Sequence, residues 1–391
     1  MANTDAAYFS LKHEAPIMLY TIISSTPMYV CGTLMILLAL SLCTKWDTAR
    51  YRLLLFMLTS LILYIGNFAY FNRMESVIPI TDTLYCYCNP ACFPIFLIYI
   101  EALVLKDPGH KRGFLNILPA IICGIIAGFI YATKSGEELT WWVNAIHKCV
   151  RIIFTLQVPL VLYFGWKHIS DYNKMVENYY ADTEDKEVTL IKPLLISFVA
   201  ASLISFTINL IGHDYFAESV WLLAIPSLSF SALLLFTGFV GLTQNTYTRE
   251  VVEESAMLEE PELDIIPLTP EKEDIMADEI RKLMDEKRLF LQPNLKINDL
   301  ANMLNTNRNY IYNAINRGIG LSFAEYINKK RIEYAVQLID QDREILLTDV
   351  AHQSGFSSPS AFYRNFKLYM DCTPSDYQKR GASIAASTLS K

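Results

Sequence analysis

Charge is scarce in this sequence. Only 19% of its 391 residues are Asp, Glu, Lys or Arg, against 52% hydrophobic, and the mean hydropathy is +0.25. A water-soluble domain is nearer a quarter charged, so one ordinary soluble domain is excluded; the length leaves room for two or three domains. Other absences narrow the function. The C-terminal part has no Gly-rich phosphate loop, no kinase motif and no Ser/Cys–His constellation, so no enzyme and no cofactor are expected. The eight cysteines match no standard metal-ligand spacing, so no metal is expected. A basic leader followed by a short apolar core is missing from the first 16 residues, which contain Asp5 and Glu14, so a cleavable signal peptide is not expected.

The few charges are unevenly placed. Residues 1–248 carry net −2, residues 249–286 net −10 and residues 287–391 net +5. The chain therefore reads as an apolar body, an acidic linker and a mildly basic module, and only the last suits nucleic acid by charge.

Seven runs in the body are long and apolar enough to span a bilayer, which takes about 20 residues each: 17–42, 53–71, 84–105, 114–133, 146–166, 190–211 and 220–242. The expected fold is all-α: a polytopic seven-helix bundle, 17–242, after an outer tail, 1–16. An acidic, Pro-containing linker, 243–270, leads to a helical module, 271–380, with two helix-turn-helix units at 297–317 and 347–369; a tail, 381–391, follows. The odd-numbered loops hold ten Lys and Arg (among them Lys45, Lys111, Lys167 and Lys174), while the N-terminal side and even loops hold five. Positive charge stays inside, so the N-terminus is expected outside and the C-terminal module in the cytoplasm of a bacterial inner membrane.

Ionisable residues usually mark ion paths in a membrane, and no span carries a mid-bilayer acid–base pair. Glu101 sits near the cytoplasmic end of the third span, where it can snorkel or cap. Asn67, Asn89, Gln157, Asn209 and His213 serve either helix-to-helix hydrogen bonds or a ligand pocket in the outer half. "CYCNPAC" begins the third span and Cys149 the fifth, both on the outer side. Free packing thiols are the first reading there, with a disulfide from Cys86 or Cys88 to Cys149, geometrically open and redox-permitted outside, as the alternative.

After the linker, "TPEKED" signals a helix start, with Thr269 as N-cap and Pro270 at its first position. The helix is expected to reach Lys287 with Ile275, Ile280, Leu283 and Met284 on its apolar side. Two segments then resemble each other, Ile297–Gly320 and Leu347–Asp371. Ala301 aligns with Ala351, Asn305 with Gly355, Ile311 with Phe362, Ile315 with Phe366 and Gly320 with Asp371. Each reads as a short helix, a left-handed turn and a second helix sealed by an apolar pair four apart, which is helix-turn-helix geometry. A long helix, 321–341, joins them.

These residues resemble the DNA-binding domain of AraC/XylS-type bacterial transcription regulators across 287–380. The resemblance rests on "INDLANML", "SFAEYINKKRIEYAVQLI", "TDVAHQSGFSSPSAFYRNFK" and "TPSDYQKR", with Asp371 where the family usually has Gly. It implies that both second helices enter successive major grooves. On the first, about 307–316, Arg308, Asn309, Tyr312, Asn313 and Asn316 face outward. On the second, about 359–369, Ser358 caps the helix, Ser360, Tyr363 and Arg364 face the groove and Lys367 meets the backbone.

The expected function is a membrane-bound one-component transcription regulator whose bundle senses an external or membrane signal. Its expected partners are promoter DNA, RNA polymerase, the lipid bilayer, an unidentified ligand or membrane protein, and a second copy of the chain as a homodimer. Two alternatives remain: a channel or carrier with an attached regulator, and a passive anchor controlled by a partner or by proteolytic release.

Overall fold

The computed structural model describes residues 2–72, 74–105, 110–183, 186, 188–211, 220–243 and 270–380, without the side chains of 2–17, 75, 110–115, 208–211 and 270–271. The described residues are helical with no β-strand, as the apolar and 3.6-residue patterns require. The chain divides into two compact units, 1–170 with 188–256, and 171–187 with 257–391.

The first unit contains α1 (Ala2–Thr44), α2 (Thr48–Phe71), α3 (Ile78–Val104), α4 (His110–Thr133), most of α5 (Gly136–Tyr179), α6 (Ile191–Ile211) and α7 (Val220–Thr243). Each expected span falls on one of these. Six are long and apolar enough to cross a membrane; in α6 the apolar stretch within the described side chains, Ile191–Thr207, is shorter. Helix α3 packs between α2 and α4, and α1 packs on α2 and α7. Phe96 stacks on Phe198 at 4.1 Å between centroids. A methyl group on Gly241 would lie 1.9 Å from Leu53 Cδ2, so the small residue on α7 makes room for the Leu53 side chain of α2 as it stands. The outward faces are apolar too: Leu40, Phe129, Leu156, Leu203 and Trp221 are exposed. A helix apolar all round suits lipid or a protein interior, not water.

Two expectations change here. Helix α1 begins at Ala2, so the tail expected over 1–16 is helical. Helix α5 runs to Tyr179 instead of ending near Trp166, continuing through both Pro159 and Gly165. Lys167 and Lys174 therefore stand on a helix, and 171–187 belongs to the second unit. The linker, Thr269, His213, the Asn209 side chain and the tail from 381 lie outside the described residues.

The second unit contains α8 (Pro270–Lys287), α9 (Ile297–Met303), α10 (Arg308–Asn313) continued by a π-helical turn (Ala314–Ile319), α11 (Phe323–Gln341), α12 (Leu347–Gln353) and α13 (Pro359–Met370). It has two cores. One gathers Ile280, Met284, Leu300, Ile311, Ile315 and Phe323; the other gathers Ile332, Ile339, Val350, Phe356, Phe362 and Phe366. On α8, Ile275 is 55% exposed and Ala277 is buried in its place. Helix α11 starts in a capping box, Ser322 with Glu325, and spans both cores. Arg331 on α11 ties them together. It is 1% exposed, its Nε and Nη2 donate to the carbonyls of Phe290 and Gln292, both at 2.7 Å, and its guanidinium lies 5.5 Å from the Phe356 ring centre.

Candidate nucleic-acid interface

The second helix of each helix-turn-helix unit is set by its turn. Asn305 (φ 49°) and Gly355 (φ 87°) take the left-handed conformation between paired helices, and Asp371 (φ 53°) takes it after α13. A Cβ on Gly355 would meet the Phe290 carbonyl oxygen at 2.6 Å, so the second turn needs glycine for space as well as for φ. The amides then find caps. Asn307 Oδ1 accepts from the Asn309 amide at 2.8 Å, and Ser358 Oγ accepts from the Ala361 amide at 3.1 Å, with Pro359 at the first position. Ser358 thus holds the helix start.

Ile311, Ile315, Phe362 and Phe366 are fully buried, which turns the opposite side chains outward. On α13, Ser360, Tyr363, Arg364 and Lys367 are exposed, and Tyr363 Oη lies 3.4 Å from Ser375 Oγ. On α10 and its continuation, Tyr312 is exposed and Asn309, Asn313 and Asn316 are half-buried. Arg308 is half-buried as well, its guanidinium 5.2 Å from the Tyr179 ring centre. Asn316 Nδ2 donates to Asn178 Oδ1 at 3.2 Å.

Comparison with known proteins agrees with this geometry. Residues 300–380 match the family model described as "Helix-turn-helix domain". They form an AraC-type helix-turn-helix domain. Among relatives, the chain is 32% identical over 85 residues to the Msm operon regulatory protein of Streptococcus mutans, covering 22% of this chain and 30% of that one. It is 27% identical over 105 residues to the lactose operon transcription activator of Staphylococcus xylosus (27% and 37%), and 27% over 101 residues to the transcriptional regulatory protein HptR of Staphylococcus aureus (26% and 39%). The chain therefore spans between about three and four tenths of these relatives. No solved structure matches the chain.

Within the AraC-type domain, burial lowers the Arg331 guanidinium to about 10, with the Asp182 carboxylate opposing. Burial pushes the Tyr326 phenol up to about 12, and Asp285 adds to this. The Tyr326 hydroxyl has no hydrogen-bond partner among the described residues. Sequence reasoning missed Arg331, whose carbonyl partners are far away in sequence. It also missed the part played by Asn178–Asp182, which reads as polar loop.

The bundle has its own candidate. A cavity of about 150 Å³ is lined by Ser60, Tyr64, Asn67, Asn89, Phe93 and Ser202, among others. A ligand pocket was the second of the two readings of Asn67 and Asn89, and Asn89 Oδ1 is buried without a hydrogen-bond partner among the described residues. Gln157 Oε1 is likewise without a partner among the described residues but does not line the cavity. All eight cysteines are free. Free packing thiols were the first reading of this cluster, and the alternative disulfide from Cys86 or Cys88 to Cys149 is not formed: the first two are fully buried in helix packing while Cys149 is exposed. Glu101 is buried and lies 3.9 Å from His168 Nε2 instead of snorkelling. A polar cluster that sequence reasoning did not assemble joins α3, α4 and α5. Tyr131 donates to Asp82 Oδ2 at 2.5 Å, and His147 Nε2 lies 2.9 Å from Asp82 Oδ1, outside hydrogen-bonding geometry.

Proposed function

We propose that the chain is a membrane-bound one-component transcription regulator. The helical bundle crosses the membrane with its N-terminus outside and receives a signal; the AraC-type domain binds promoter DNA in the cytoplasm. The observation that carries DNA reading is the outward set Ser360, Tyr363, Arg364 and Lys367 on α13, opposite the buried Phe362 and Phe366. Arg364 can reach a guanine edge bidentately; Lys367 supplies a phosphate contact. The cavity supports an uncharged, largely apolar signal carrying a hydrogen-bond donor for Asn89 Oδ1.

Genome-wide footprinting of the full chain tests both halves. On a duplex carrying a footprinted site, Arg364→Ala should weaken binding about 5- to 150-fold at fixed salt, the worth of one good base contact. Asn313→Ala should act about one helical turn away along the duplex. Parent-like binding by both variants would end the reading. Asn89→Leu should keep the sites in vitro but remove the signal-dependent change in occupancy in cells; unchanged occupancy shifts would move the sensing site elsewhere.

A further inference from the structure

The end of α5 and the residues that follow it, 171–187, belong to the second unit and touch both helix-turn-helix units. Asn178 accepts the Asn316 amide, and Tyr179 lies under Arg308, at opposite ends of the first reading helix. The two contacted residues and Tyr312 are spaced by four and so form one stripe. Next, Tyr180 bridges to Lys296, and the Ala181 amide donates to the Leu295 carbonyl at 3.0 Å. Ala181 is fully buried in the first core. Then Asp182 accepts a hydrogen bond from Ser357 Oγ, just ahead of the Ser358 cap of α13. The segment is acidic: Asp171, Glu177, Asp182, Glu184, Asp185 and Glu187 against Lys174 and Lys186.

We propose that Asn178–Asp182 form a strap that competes with DNA for both reading helices. This rests on the DNA-reading role proposed above. The steric argument is one of width. A major groove of about 12 Å admits one α-helix, itself about 10–12 Å across. With the end of α5 against its flank, the first reading helix cannot enter. The electrostatic argument points the same way. The amides opening α13 are where a DNA phosphate would sit, and there the Asp182 carboxylate supplies the negative charge. Arg308 Nη1 is buried with no hydrogen-bond partner among the described residues. Covered by Tyr179, it lacks the acceptor that a phosphate or a base edge would give it. Because the strap directly continues α5, a signal that displaces the end of that helix frees the reader.

The test uses the full chain in nanodiscs and a duplex carrying a footprinted site. The triple variant Asn178→Ala/Tyr179→Ala/Asp182→Asn removes the side-chain contacts and keeps Ala181 and the backbone pairing. It should bind at least about 10-fold more tightly than the parent. Asp182→Asn alone, a surface change that spares the core, should tighten binding by a smaller factor. As a second readout, the thiol introduced by Asn178→Cys should react with maleimide faster once duplex is added. Equal affinity of parent and both variants, or thiol reactivity unchanged or reduced by duplex, would overturn the strap and leave DNA reading intact. Absence of DNA binding by every form would overturn DNA reading and the strap with it.

Discussion

Single side chains in the reader show how burial and hydrogen bonding divide their roles. Arg331 is buried but has carbonyl partners, so its charge is held and joins the two cores. Tyr326 is buried on the same helix with a hydroxyl that has none among the described residues. An unpartnered buried hydroxyl costs free energy, so Tyr326→Phe should leave the reader about 1 kcal/mol more stable at neutral pH. The alkaline behaviour follows from the raised phenol. A free tyrosine ionises near 10; in the fold Tyr326 ionises near 12. Its contribution is complete below pH 10 and is lost as pH rises through 12, because the unfolded chain ionises first. An alkaline titration of circular dichroism should show the Tyr326→Phe variant unfolding at higher pH than the parent. Coincident midpoints would remove Tyr326 from the account.

Turns and helix starts were the legible elements. Asn305, Gly355 and Asp371 are residue types that tolerate a positive φ, and each adopts one. Gly355 is the most constrained, so Gly355→Ala should destabilise the second helix-turn-helix by about 3 kcal/mol from left-handed strain and overlap with the Phe290 carbonyl. Hydrogen exchange of the full chain in nanodiscs should show faster exchange at 347–370 in that variant; unchanged protection would refute the steric reading. The start of α13 was readable from Ser358, since a cap acts within one turn, and the capping box of Ser322 with Glu325 fixes the start of α11 by the same local chemistry. Distant packing was not readable. Ile275 fits an apolar stripe, yet Ala277 is buried, because contact with the π-helical turn at Gly318 selects a small side chain. The end of α5 carries no breaker, and the partners of Asn178–Asp182 lie more than a hundred residues on.

Over the whole molecule, the arrangement proposed for the membrane has a direct measurement. A reporter active only outside the cell should be silent when fused after Leu242 and active when fused within 212–219; the reverse pattern would invert the orientation drawn from Lys and Arg. The outward apolar side chains and the bundle's length were readable because apolar composition sustained over some 20 residues marks a whole helix. The reader's extent was not, and that has a consequence for inheritance. Its core includes Ala181, and a backbone pair holds that residue to Leu295, while the rest of the unit begins only after the bundle. A gene fragment running from the linker to the end would carry the reading helices without this piece. Exchange of such fragments between genes would leave the transplanted reader short of part of its core, a gap that its new neighbour would have to fill.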